Sequence, residues 1–137
     1  MERITRVING TETYALFVRG TVETQAAKFL TEPTDPLQAG VMERPKGFVV
    51  QPHSHPYTER RIAQTSEFLH IQKGKIAVTV FDDDWKQLAQ ETFEAGDFLI
   101  FFRGGHQVEM LEDTRMIEVK QGPYIGDAAS KSFRPSA

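Results

Sequence analysis

Short β-prone runs recur along this chain at fairly regular intervals, set apart by turn residues: "TYALFV", "LQAGVM", "GFVVQP", "EFLHIQ", "KIAVTVF", "FLIFF", "HQVEML" and "RMIEV". Runs so short must share a core, and their spacing predicts an all-β sandwich or barrel. Within "KIAVTVF", Ile76, Val78 and Val80 fall on one face and Lys75, Ala77, Thr79 and Phe81 on the other, because side chains alternate along a strand; one face is expected to look inward. "FDDDW" offers an Asp-rich turn into "KQLAQETF", and "EAGD" interrupts the chain before the apolar "FLIFF", so a hairpin is expected in this region. The length of 137 residues fits one ordinary domain, and no repeat or low-complexity linker divides it.

Two stretches depart from the β pattern. In "TVETQAAKFLTEP", Val22, Ala26, Phe29 and Leu30 stand at near-helical spacing with Thr21 as a cap, so a short N-terminal helix competes there with a strand. The tail "IGDAASKSFRPSA" is small and polar apart from Phe133, and is expected to be mobile or laid over a surface. With no cysteine in the chain, disulfides, thiolate zinc sites and cysteine nucleophiles are excluded, and any metal falls to imidazole and carboxylate ligands. A net charge of -3 with scattered Lys and Arg argues against nucleic acid as a partner. No run approaches the ~20 apolar residues needed to span a bilayer, and the first residues lack the apolar core of a signal peptide, so a cytoplasmic protein without membrane partners is expected.

The stretch "GFVVQPHSH" places two of the four histidines, His53 and His55, at alternate positions between Pro52 and Pro56. Residues two apart share a face of a strand, with Cα atoms about 6–7 Å apart, so both imidazoles can converge on one ion. The flanking prolines disfavour helix and suit a strand running out into a loop. Taken alone, such a pair is more often two solvated loop histidines. Further ligands would come from elsewhere, and the other histidines are His70 and His106.

From Gly47 the chain reads glycine, five residues, "HSH", then after a gap Glu67, six residues and Gly74, which resembles the first motif of the cupin superfamily. "GDFLIFFRGGH", from Gly96 to His106, resembles the second. "LEDTRMIEVKQGPY" is also similar to small bacterial single-domain cupins of unassigned reaction, with an RmlC-like jelly roll. The resemblance implies a double-stranded β-helix, that is, a jelly-roll barrel, in which His53, His55, Glu67 and His106 hold one divalent metal ion, Fe, Mn, Ni or Zn. It further implies a cupin core over 47–122, completed by N-terminal strands over 1–46 that serve the barrel or a dimer contact, with a tail over 123–137. The alternation of "EFLHIQ" agrees, placing Glu67 with Leu69 and Ile71 on a core-facing side and His70 with Phe68 on the other. A carboxylate so placed needs a cation or hydrogen-bonding partner.

Such a set leaves open positions on an octahedral ion for a small oxygen-donor ligand, a sugar or a carboxylate, consistent with a metal-dependent oxygenase or isomerase. Two other readings remain: a non-enzymatic metabolite-binding cupin, and a metal-independent sugar-nucleotide isomerase or epimerase using His53, Tyr57 and His106 as acid and base. Tyr57, Arg60 and Arg61 are candidates for substrate contact, although adjacent arginines are commonly just solvated. Gly104 and Gly105 could form an anion-binding nest, but a tight turn delivering His106 is the commoner use. "FDDD" lacks the glycine and distal glutamate of a calcium loop and reads as a solvated turn. Exposed jelly-roll edges need protection, so a homodimer is expected.

Overall fold

The computed structural model describes residues 2–136 and is mostly β. Its elements are β1 (Ile4–Asn9), β2 (Glu12–Val18), β3 (Ala27–Phe29), β4 (Gly40–Met42), β5 (Glu67–Lys73), β6 (Lys75–Phe81), β7 (Gln87–Glu94), β8 (Phe98–Phe101), β9 (Gly105–Met110), β10 (Arg115–Lys120) and a single turn of helix, α1 (Asp127–Ser130). They gather into two compact units, one made of the chain up to Val22 together with Thr65 onward, the other of Glu23–Gln64. Among the described residues, no helix is long and apolar enough to cross a membrane.

The larger unit holds a five-stranded sheet in the order β1-β2-β8-β5-β10 and a three-stranded sheet in the order β7-β6-β9. All pairings are antiparallel. Residues directly opposite each other point to the same side of a sheet, so register identifies the inner face. Phe17, Leu99 and Leu69 stand opposite one another across β2, β8 and β5, and all three belong to the core. From the other sheet, Ile76, Val78 and Val80 are fully buried, as their alternation predicts. Each such side chain contributes about 1.5–3 kcal/mol relative to exposure. Phe17 meets Phe93 of β7 edge-on at 4.9 Å between centroids, so the two sheets share one core. Neither sheet closes on itself among the described residues.

The expected hairpin lies at "FDDDW", where β6 turns into β7. "EAGD" does something else: β7 pairs with β6, whereas β8 pairs with β2 and β5, so this turn carries the chain from one sheet to the other. Asp97 fixes the crossing. Its buried carboxylate accepts hydrogen bonds from the Gly20 N–H at 2.8 Å and the Glu94 N–H at 2.9 Å. Arg19, only 8% exposed, brings its guanidinium to Asp97 at 3.3 Å and to Glu91, donates to the Thr92 carbonyl at 2.6 Å, and lies over the Phe93 ring. A buried cation thus has two carboxylates and an aromatic face.

In the smaller unit, β3 and β4 form a two-stranded antiparallel ladder, with Ala27 opposite Met42 and Phe29 opposite Gly40. The short helix entertained for this region is absent. Ala26 adopts φ 64°, outside the right-handed helical region, and the following residues find ladder partners instead. The expected strand at "GFVVQP" is also not formed: from Val49 to Gln64 the chain is irregular. Its hydrogen bonds are local, such as His53 Nδ1 against the Gln51 carbonyl at 2.8 Å and the Thr58 hydroxyl donating to the Pro56 carbonyl at 3.3 Å. A strand exists only where its backbone is paired, and these residues have no ladder partner.

Candidate functional site

Glu67 opens β5 and stands opposite Phe101 of β8, on the inner face with Leu69 and Ile71. His106 is carried by the other sheet: β9 sets His106, Val108 and Met110 opposite Val80, Val78 and Ile76, which makes His106 inward-facing too. The two side chains meet between the sheets, with His106 Nε2 3.4 Å from Glu67 Oε2 and side-chain exposures of 30% and 20%. The imidazole lies flat on Phe101, 3.9 Å between centroids with planes 3° apart. An apolar wall therefore fixes the ring while its nitrogen addresses the carboxylate.

The hydrogen bond with His106 holds the Glu67 carboxyl below its ordinary value. Partial burial opposes this, while the charge on His106, a hydrogen bond with the Glu118 side chain and the charge of Lys120 add to the lowering. Neither Glu118 nor Lys120 stands out in the sequence, where "RMIEV" reads only as a β-prone run. Pairing with β5 sets their side: Met116, Glu118 and Lys120 oppose Ile71, Leu69 and Glu67, and Ile117 and Val119 are exposed. Lys120 Nζ lies 3.4 Å from Glu118 Oε1. The inner face thus ends in four ionisable side chains, Glu67, His106, Glu118 and Lys120.

The turn before His106 is pinned from several sides. Arg103 reaches Glu12 at 3.0 Å and Asp83 at 3.4 Å and lies over the Tyr14 ring. The Tyr14 hydroxyl donates to Asp83 at 3.1 Å, and burial, followed by that bond, pushes its pKa up. Gly104 has φ 75°, and a Cβ there would meet the Phe81 carbonyl at 2.3 Å; a Cβ on Gly105 would meet the Trp85 ring at 2.3 Å. The "RGG" run is the tight turn that delivers His106, held by the Asp-rich turn between β6 and β7. The pairing of Phe81 with Gly105 brings those turns together, which only the fold reveals.

The other candidates lie in the smaller unit. His53 and His55 stand edge to face, 5.3 Å between centroids and 75° between planes. Tyr57, Arg60 and Arg61 are exposed along the same irregular run. The structure thus brings together Glu67 with His106, and His53 with His55. No group of three or more His, Asp or Glu side chains able to hold a metal occurs among the described residues. His70 sits on the opposite side of β5 from Glu67, half-buried and paired with Phe98 and Ile117, as alternation requires. An open depression of about 740 Å³, lined by Arg19, Gln90, Glu91 and Thr92 among others, contains none of the candidates. Its cation is already engaged by two carboxylates. No family model, curated protein or solved structure matches the chain.

Proposed function

We propose that this chain is a cupin-type jelly-roll metalloprotein that binds one divalent ion through His53, His55, Glu67 and His106, together with a small oxygen-donor ligand. The observation that carries the reading is the meeting of Glu67 and His106 between the inner faces of two sheets, each residue delivered by a separate motif. The donor set fits the group: imidazole and carboxylate suit Fe, Mn, Ni or Zn, and Glu67 is biased toward the ionised form that a cation requires. When bound, the ion would polarise an oxygen ligand or supply redox chemistry. The chain's own residues do the rest. Phe101 orients the His106 ring and keeps water from its face, and Glu118 and Lys120 offer hydrogen bonds and charge beside Glu67.

Protein purified without a nickel column should carry close to one ion per chain by elemental mass spectrometry. A His53→Ala, His55→Ala variant should lose it. Strongly substoichiometric metal in the wild type would overturn the reading. One observation favours a second reading: His106 hydrogen-bonded to Glu67 is also the arrangement of an acid or base oriented by a carboxylate, as a metal-independent isomerase or epimerase would need. Catalysis that survives exhaustive chelation would select that reading.

A further inference from the structure

We infer that the ligand of this site is a small carboxylate, bound through its carboxylate and an adjacent hydroxyl or carbonyl oxygen, and that Lys120 is the cation that anchors it. The inference rests on the metal-site reading and narrows its ligand from oxygen donors in general to anions. β10 sets Lys120 directly opposite Glu67, and opposed residues of an antiparallel pair project to the same side with Cα atoms about 4.5–5.5 Å apart. The charge on Lys120 favours the ionised form of Glu67, so the ammonium is within electrostatic reach of that carboxylate. Lys120 Nζ lies 3.4 Å from Glu118 Oε1, two residues away on the same strand, and the two side chains are 40% and 44% exposed. An ion pair so wet contributes little. The ammonium, with three N–H donors to share, can therefore turn to an incoming anion at small cost.

Charge balance points the same way. A divalent ion held by neutral imidazoles and the Glu67 carboxylate would keep one net positive charge, and Glu118 and Lys120 together add none. The inner-face residues around Glu67 and His106, which include Leu69, Phe101 and Val108, are apolar, and an uncompensated charge among apolar groups is costly. A monoanionic ligand removes that charge and meets Lys120, whereas a neutral sugar does neither. Glu118 then works against the anion, both by its own charge and by competing for the ammonium.

The test uses the full chain loaded with Mn²⁺ and two probes that differ in charge but not in shape: glycolate and its neutral amide, glycolamide. Binding of each is read from the Mn²⁺ paramagnetic resonance spectrum and from water-proton relaxation. Wild type should prefer glycolate. Lys120→Met, which keeps the aliphatic stem, should weaken glycolate by about tenfold, the worth of one charged hydrogen bond, while leaving Mn²⁺ and glycolamide binding unchanged. Lys120→Arg should restore most of the loss. Glu118→Gln should shift glycolate affinity the opposite way, tightening it severalfold, a direction that damage to the fold would not produce. If Mn²⁺-loaded wild type binds no glycolate, binds both probes alike, or matches Lys120→Met for glycolate, the inference is overturned and the metal site stands. If wild type binds no Mn²⁺, the metal-site reading falls and the inference falls with it.

Discussion

Replacing Gly105 with alanine isolates the contact that sets the approach of His106. Gly104 needs its positive φ, but no such φ is required at Gly105, so alanine there adds volume without backbone strain. The added Cβ would lie 2.3 Å from Trp85 Cζ3, well inside contact distance. Overpacking of this kind costs about 1–3 kcal/mol. Against it, Gly→Ala at a compatible position gains about 0.4–1 kcal/mol by restricting the unfolded chain. The net expectation is a loss of about 1–2 kcal/mol, or about 4–8 °C in Tm for a domain of this size. In a Trp85→Ala background the clash disappears and only the entropic gain remains, so the same substitution should become neutral or slightly stabilising. Circular-dichroism melts of wild type, both single variants and the double variant close the cycle. Trp85 is the only tryptophan, so its emission should shift in the Gly105→Ala single variant. An equal loss in both backgrounds would show that Trp85 does not wall this turn.

Arg19→Met should destabilise by about 3 kcal/mol, because breaking a buried pair strands its carboxylate. The two backbone N–H bonds to Asp97 keep the value at the low end. Denaturant titration should show that adding Asp97→Asn costs less than the sum of the single changes; strict additivity would contradict the pairing. The Glu67 carboxyl sits below its ordinary value of 4.5, so its contribution to stability is full above that value and is lost as pH falls through the lowered one. In apo protein, Glu67→Gln should therefore flatten the acid limb of Tm against pH, and parallel curves would refute the coupling to His106. Dialysis of a metal-loaded protein against a chelator should lower Tm, and returning the ion should restore it; no change either way would speak against a resident metal.

Strands with strict alternation were legible from sequence, and so were the sides they present. "KIAVTVF" buried Ile76, Val78 and Val80 as alternation predicts, with Thr79 and Phe81 of its other face buried as well, and "EFLHIQ" correctly separated Glu67 from His70. Pairing partners were not legible, because a β ladder is a non-local choice. Nothing near "EAGD" announces that β8 leaves the sheet of β7 to join β2, or that Arg19 will meet Asp97 there. For the same reason the sequence of β10 carried no sign of which side it presents, since its register with β5 determines that Met116, Glu118 and Lys120 face in. The helix weighed near Ala26 rested on spacing and a cap at Thr21, and β3 shows that a three-residue ladder outweighs so weak a signal. Of the candidate site, Glu67 and His106 converge; for His53 and His55, the sequence supplied the pair and its strand-like spacing but no neighbour to extend beside.

The placement of β2 beside β8 has a consequence for synthesis on the ribosome. β1 and β2 can meet as a hairpin once they have emerged, but two strands alone are marginal in water. Their staple is Leu99, Ile100 and Phe101, delivered only after the intervening residues 19–98 have been translated. Until then Leu16, Phe17 and Val18 wait without cover on the nascent chain. Pausing translation ahead of Phe98 should therefore expose a sticky early hairpin, and a holdase would find its target there.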